Sequence, residues 1–230
     1  MSHLLDSSVY SENDFNKQND DKSQYVIHGT KVIDLSKIDV EELRKEIKTA
    51  QYKAVEIDDL KSFIEQALHQ MVNKNCTRIK FSQRYRGIID RYNAGGSENE
   101  DYYEQLVKLI EDLKDEDKRA NVEGLSEEEL EIYDLLIAGK KLSQADEQKV
   151  KLSAKNLYKK LSENKREYLV VDWYKDDQPR AIVKNLVESS LNDDLPICYD
   201  KESFQSKIDL LMNHFVDMAV QGYGWVGTVA

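Results

Sequence analysis

Proline, glycine and cysteine are scarce in this 230-residue chain, which contains 2 Pro, 9 Gly and 2 Cys. So few helix-breaking residues among abundant Glu, Lys and Leu favour a mostly helical protein. Cys76 and Cys198 lie far apart in sequence, which is typical of a protein from a reducing compartment rather than of a disulfide scaffold. The sequence therefore predicts a helical protein of the cytoplasm.

Long apolar runs are missing too. No stretch approaches the roughly 18 apolar residues that a membrane-spanning helix needs. Met1–Tyr10 has neither the basic nor the apolar segment of a signal peptide. We therefore expect no association with a membrane and one or two soluble domains.

Motifs of familiar catalytic sites are also absent, including the P-loop, the G-x-S-x-G elbow and H-E-x-x-H. Gly222, Gly224 and Gly227 match G-x-G-x-x-G as a string, but no strand precedes them and no helix follows to bind a pyrophosphate. The four histidines and two cysteines show no metal-ligand spacing, and we interpret His69 and His214 as ordinary helix-face residues. The sequence predicts no catalytic, cofactor-binding or metal-binding residue.

Helical periodicity is the strongest pattern that is present. Apolar residues recur at spacings of three and four along about eight segments after Ser36. Polar capping residues predict where several of these helices begin: Asp39, Thr77, Ser97, Ser126, Ser143, and either Asp172 or Asp177. Pro179 favours Asp177, because proline fits only the first turn of a helix. Asn93–Gly96 predicts a helix end, and Gly124 predicts a break.

The remaining segments are short. Residues 1–36 are poor in periodicity and predict an extended, flexible leader with a short hairpin around Tyr25–Ile33. Tyr168–Val171 resembles a strand but is equally compatible with an extended link. We therefore predict an all-α protein, a multi-helix bundle of about eight helices in two subdomains. The expected domains are the leader 1–36, a helical subdomain 37–96 and a C-terminal helical domain 97–230.

Charge is distributed in blocks within a net charge of −11. Residues 97–137 hold 15 acidic and 4 basic residues, whereas Asn73–Tyr92 holds six basic residues against Asp90 alone. Such a basic helix is a candidate for sequence-independent contact with DNA phosphates. The candidate DNA-backbone contacts are Arg78, Lys80, Arg84, Arg86 and Arg91. The alternative is that long helices simply keep a charged solvent face.

Seven short strings occur in a fixed order along the chain: VEIDDLKSFIE at 55–65, NCTRIKF at 75–81, IIDRYN at 88–93, GLSEEE at 124–129, YD at 133–134, VDW at 171–173 and QGYGW at 221–225. In this order they resemble the helical region of type I restriction enzyme R subunits. The similarity covers nearly the whole chain from about Val9. Pro179 departs from the family pattern and leaves open where the helix between Trp173 and Leu191 starts.

The resemblance implies a part of a larger machine. The family's R subunit is an ATP-dependent DNA translocase and endonuclease that works with methyltransferase and specificity subunits. Its nuclease and motor domains precede this region, so ATP and Mg²⁺ are expected to act there and not in this chain. The resemblance implies a non-catalytic helical part that supports the translocase and docks it to the methyltransferase core.

Aromatic side chains are candidates for that docking, because aromatic residues dominate interface hot spots. The candidate anchors are Trp173, Tyr223 and Trp225, and the alternative for Trp173 is a buried core residue. Three other roles stay open on the sequence: a helical DNA-binding arm that lines the translocation path, an enzyme in its own right, and a self-assembling scaffold.

Overall fold

Nine α-helices carry most of the part of the chain that the structure, a computed structural model, describes. That part comprises residues 9–11, 31–49, 53–96, 99–221 and 226. The helices are α1 (Val40–Thr49), α2 (Lys53–Lys74), α3 (Ile79–Asn93), α4 (Asn99–Glu123), α5 (Glu127–Ile137), α6 (Gln144–Glu163), α7 (Lys165–Tyr168), α8 (Asp177–Asp194) and α9 (Lys201–Gln221). The 3-10 turns Leu35–Lys37 and Cys76–Arg78 precede α1 and α3. The predicted all-α class is confirmed.

One antiparallel pair of three-residue strands accompanies the helices. Strand β1 (Val9–Ser11) pairs with β2 (Lys31–Ile33), and Val9 lies opposite Ile33. The predicted hairpin around Tyr25–Ile33 has its turn outside the described residues. Its second half is a strand, but that strand pairs with residues 9–11.

Most of the predicted helix boundaries are confirmed. Asp39 Oδ1 accepts hydrogen bonds from the backbone N–H groups of Glu41 (2.9 Å) and Glu42 (3.1 Å). Ser126 and Glu129 form a complete capping box at the start of α5, and Ser143 caps α6. Gly124 has a φ of 66° after α4, a conformation that costs glycine little. Local hydrogen bonding therefore sets these boundaries.

Three local predictions need correction. Thr77 does not cap α3, because its hydroxyl lies 2.6 Å from Asn75 Oδ1 and 3.0 Å from Asp134 Oδ2. Asp177 is the first residue of α8 rather than its cap, since Asp176 has the extended backbone of the cap position.

The third correction concerns Tyr168–Val171, which forms no strand. Tyr168 ends the one-turn helix α7, and a bend and turns follow it, so neither the strand nor the extended link is confirmed. The predicted cap at Ser97 lies outside the described residues.

The described residues divide into two units, the first holding those up to Val72 and Arg78–Arg119, and the second holding Asn73–Thr77 and those from Ala120 onward. The boundary predicted from the sequence lies at 96/97 instead. The difference arises because α4 supplies much of the first unit's core and only its last turn belongs to the second. Buried α4 residues of that core include Tyr102, Tyr103, Leu106, Ile110 and Leu113.

The second unit has its own core, built from α5, α6, α8 and α9. Fully buried members include Leu130, Leu157, Val183, Leu211 and Phe215. Lys207 of α9 donates through Nζ to the main-chain oxygens of Leu135 (2.8 Å) and Ala138 (2.7 Å). These bonds satisfy carbonyl groups that the end of α5 leaves without helical partners, and burial lowers the pKa of Lys207. No helix among the described residues is long and apolar enough to cross a membrane.

Candidate functional site

The structure separates the predicted DNA contacts into one buried and four exposed residues. Arg78 is 0% exposed. Its Nε lies 3.3 Å from Glu116 Oε1, and its Nη2 donates to the main-chain oxygen of Glu116 at 3.3 Å. Arg78 therefore belongs to the interior of the first unit and does not reach a phosphate. This corrects the sequence-based assignment of Arg78 as a DNA contact.

Lys80, Arg84, Arg86 and Arg91 are exposed on α3, as a role in phosphate contact requires. Arg84 forms an ion pair with Asp112, and Arg91 Nη1 lies 3.4 Å from Gln105 Oε1. The two tyrosines of α3 are not available for base stacking, because Tyr85 is buried and Tyr92 stacks on Tyr102 at 3.9 Å between ring centroids. This helix could contact a nucleic-acid backbone rather than bases.

A small cavity lies between α3 and α4 at this basic surface, and we call it the basic cleft. It has a volume of about 270 Å³ and is lined by Arg84, Gly87, Ile88, Arg91, Gln105 and Lys108. Three cations and no acid are among these lining residues. Lys108 was not predicted from the sequence because it lies in the acidic block. Only the packing of α3 on α4 brings it beside Arg91.

The predicted docking anchors fare differently. Trp173 is 2% exposed, and its Nε1–H donates to the main-chain oxygen of Val226 at 3.3 Å. Trp173 is therefore a core residue of the second unit and not an exposed anchor, which corrects that assignment. Tyr223 and Trp225 lie outside the described residues, so their role as anchors stays a prediction.

A wider apolar opening lies on the second unit, and we call it the α8–α9 groove. It has a volume of about 1230 Å³, and its apolar lining comes from Leu191, Leu195, Pro196, Ile197, Phe204 and Leu210. Ile197 is 99% exposed. Polar residues such as Glu188, Lys201 and Asp209 complete the lining. Exposed apolar side chains together with polar ones are the usual composition of a protein-binding patch.

A third arrangement joins residues that looked isolated in the sequence. Cys76 Sγ lies 3.3 Å from His214 Nδ1, and His214 Nε2 lies 3.2 Å from Glu131 Oε1. Burial, followed by the neighbouring Glu131 carboxylate, raises the pKa of the Cys76 thiol to about 12. Because Cys76 and His214 are 138 residues apart in the chain, no sequence spacing could have indicated this cluster.

Comparison with known proteins assigns the chain to a family. The family model described as type I restriction enzyme HindI endonuclease subunit-like, C-terminal, matches residues 23–220. A relative from Methanocaldococcus jannaschii, assigned as the type I restriction enzyme MjaIXP endonuclease subunit, is 28% identical over 123 residues. This match covers 53% of the chain but only 12% of that relative. No solved structure matches the chain. Since the family model covers most of the sequence, the chain belongs to the family of C-terminal regions of type I restriction endonuclease subunits.

Proposed function

We propose that this chain is the non-catalytic helical part of a type I restriction endonuclease subunit and docks that subunit to the methyltransferase core through the α8–α9 groove. The observation that carries the proposal is Ile197, an apolar side chain that is 99% exposed at a groove of about 1230 Å³. Covering an exposed apolar side chain with a partner removes it from water, which makes the free energy of binding more favourable. Family membership supplies the class of partner.

The proposal assigns the other activities elsewhere. The methyltransferase and specificity subunits are the proposed partners, in the cytoplasm. ATP and Mg²⁺ are proposed to act in motor and nuclease domains of the same subunit that lie outside this chain. The helices described here would support the translocase mechanically. They would not take part in the chemical steps.

Substitution of Ile197 tests the groove directly. We expect Ile197→Glu to weaken binding of this chain to the methyltransferase–specificity core by about tenfold or more, because it places a charge where an apolar contact is buried. The measurement is sedimentation of the chain with the core from the same genome. Val122→Glu is the matched control, since Val122 is 81% exposed and does not line the groove.

Equal affinity of the Ile197→Glu and Val122→Glu variants would remove the groove from the docking surface. If the unaltered chain itself stays a free monomer beside a competent core, the docking proposal is wrong as a whole. Thermal unfolding of both variants gives the necessary check. Both sites are exposed, so we expect unfolding free energies within about 0.5 kcal/mol of the unaltered chain.

The basic cleft supports a second candidate function, a helical arm that contacts the DNA backbone along the translocation path. Arg84, Arg91 and Lys108 line the cleft, and such a group of cations suits a phosphate. Lys80 and Arg86 extend the charge along the exposed side of α3. The ion pair between Arg84 and Asp112 reduces the net positive charge of this surface.

Gly87 allows the DNA candidate to be tested without removing a cation. A Cβ added at Gly87 meets no atom within 4 Å, so a side chain can be introduced there without a clash. We expect Gly87→Glu to weaken binding to a DNA duplex about tenfold, because it adds a negative charge inside the cleft. Gly87→Gln, which has the same size and no charge, is the control in a fluorescence anisotropy titration.

Salt dependence gives the second readout. Backbone contacts predict that the affinity for DNA falls steeply between about 50 and 200 mM salt. A flat salt response, or equal loss of affinity in the Gly87→Glu and Gly87→Gln variants, would remove the DNA candidate and leave the docking proposal untouched.

A further inference from the structure

Three metal-ligating side chains from separate elements meet inside the second unit. Cys76 belongs to the 3-10 turn before α3, Glu131 to α5 and His214 to α9. One possible ligand atom from each, the Sγ, a carboxylate oxygen and an imidazole nitrogen, lies within 4.8 Å of the others. None of these residues lines the α8–α9 groove or the basic cleft. The cluster is therefore not part of either site proposed above.

The distances suit a tetrahedral metal ion. In tetrahedral zinc sites, Zn–S bonds of about 2.3 Å and Zn–N or Zn–O bonds of about 2.0–2.1 Å place the ligand atoms roughly 3.3–3.6 Å apart. His214 Nε2 lies 3.2 Å from Glu131 Oε1 and 3.9 Å from Cys76 Sγ. Both separations differ from the tetrahedral values by a few tenths of an ångström. The third pair of ligand atoms, Cys76 Sγ and a carboxylate oxygen of Glu131, lies within 4.8 Å.

The chemistry of the donor set favours Zn²⁺ over harder cations. Thiolate and imidazole ligands suit zinc, whereas Mg²⁺ and Ca²⁺ prefer sets made of oxygen alone. The charges also balance, since a thiolate and a carboxylate together neutralise a divalent ion. Neutrality matters because Glu131 is only 2% exposed, and an isolated buried charge is costly.

Surrounding contacts hold the ligands in position. The backbone N–H of Cys76 donates to Glu131 Oε1 at 3.1 Å, which orients the carboxylate toward the thiol. The next residue, Thr77, lies with its hydroxyl 3.0 Å from Asp134 Oδ2. Residues 75–77 are thus already held against α5. Such outer contacts are the usual support of a metal-ligand set.

We propose that Cys76, Glu131 and His214 bind one Zn²⁺ ion, with water in the fourth position. On binding, the metal–sulfur bond replaces the S–H bond of Cys76, and the released proton passes to solvent. The ion closes the turn at residues 75–77 onto α5 and α9 and stabilises the second unit. The neutral His214 ring coordinates through one nitrogen. No redox partner is needed, because zinc keeps its oxidation state.

The test uses the 230-residue chain without a purification tag, freed of metal with a chelator. We expect isothermal titration with Zn²⁺ to give one equivalent per chain and the bound ion to raise the Tm, because a ligand of the folded state stabilises it. Co²⁺ in place of zinc should give a thiolate-to-metal charge-transfer band and the intense visible bands of tetrahedral cobalt. These bands report directly on sulfur coordination.

Matched variants locate the site. Cys76→Ser and His214→Gln should abolish the stoichiometric binding and the charge-transfer band, whereas Cys198→Ser and His69→Gln should retain both. Circular dichroism on each variant checks that it folds. The proposal is overturned if the unaltered chain takes up no equivalent of Zn²⁺, or if a folded Cys76→Ser variant keeps the cobalt band. Loss of that band in Cys198→Ser would overturn it equally, by placing the thiolate at Cys198.

Discussion

Arg78→Ala is expected to lower the free energy of unfolding by about 3 kcal/mol, at the low end of the cost of removing one partner of a buried ion pair. Arg78 is fully buried and contacts both the carboxylate and the main-chain oxygen of Glu116. Its loss leaves a cavity beside the Glu116 carboxylate, which is itself buried. The cost stays at the low end because Arg119 Nη1 still donates to Glu116 Oε1 at 2.9 Å. Urea denaturation followed by circular dichroism measures the change.

Arg86→Ala provides the matched control for Arg78→Ala. Arg86 is an exposed arginine of α3, so its removal should change the unfolding free energy by less than about 0.5 kcal/mol. The two variants also separate a core role from a DNA role. An Arg78→Ala chain that keeps its stability and loses affinity for DNA would contradict the buried placement and restore the sequence-based assignment.

The local features of the fold were predictable because local chemistry decides them. A capping side chain such as Asp39 or Ser126 satisfies backbone N–H groups within three residues, and this depends on no distant contact. The glycine stops at Gly95 and Gly124 likewise follow from the positive φ values found there. The family was also predictable, because several short sequence strings occur in the same order as in that family. The family match over residues 23–220 confirms the resemblance.

Features that depend on contacts between distant segments were not predictable. Arg78 looked like any other residue of a basic helix until α4 placed Glu116 against it. Thr77 is a residue type that caps helices, but its hydroxyl forms hydrogen bonds with the side chains of Asn75 and Asp134 instead. In both cases a correct local pattern was overridden by tertiary contacts that periodicity does not encode.

The site residues show the same division. Arg84 and Arg91 were identified because they belong to the basic block Asn73–Tyr92, whereas Lys108 joins them only through the packing of α3 on α4. The cluster of Cys76, Glu131 and His214 combines three elements that are remote in sequence. Ile197 was not predicted as a docking residue, because a single apolar residue in a loop has no periodicity that indicates its exposure. The sequence thus indicated most of the exposed basic residues. The groups of residues that meet in the basic cleft and around Cys76 could be identified only from the tertiary structure.

Trp173→Ala is expected to lower the free energy of unfolding of the second unit by about 3–5 kcal/mol, the usual cost of truncating a buried aromatic residue to alanine. Trp173 is 2% exposed in the second core, so its removal leaves a large cavity. It also ends the hydrogen bond to Val226 at 3.3 Å. Differential scanning calorimetry of the full chain should show a lower Tm.

Trp173→Phe separates packing from hydrogen bonding at the same position. Phenylalanine keeps most of the apolar volume but cannot donate to the Val226 oxygen, so we expect a smaller loss of about 1–3 kcal/mol, the cost of a buried group left without its partner. Because Trp173 is buried, the proposed binding to the methyltransferase core should have the same affinity in Trp173→Phe as in the unaltered chain, at temperatures where both are folded. A folded Trp173→Phe variant with affinity reduced about tenfold would instead make Trp173 a docking residue, and the α8–α9 groove would then no longer be sufficient to explain attachment.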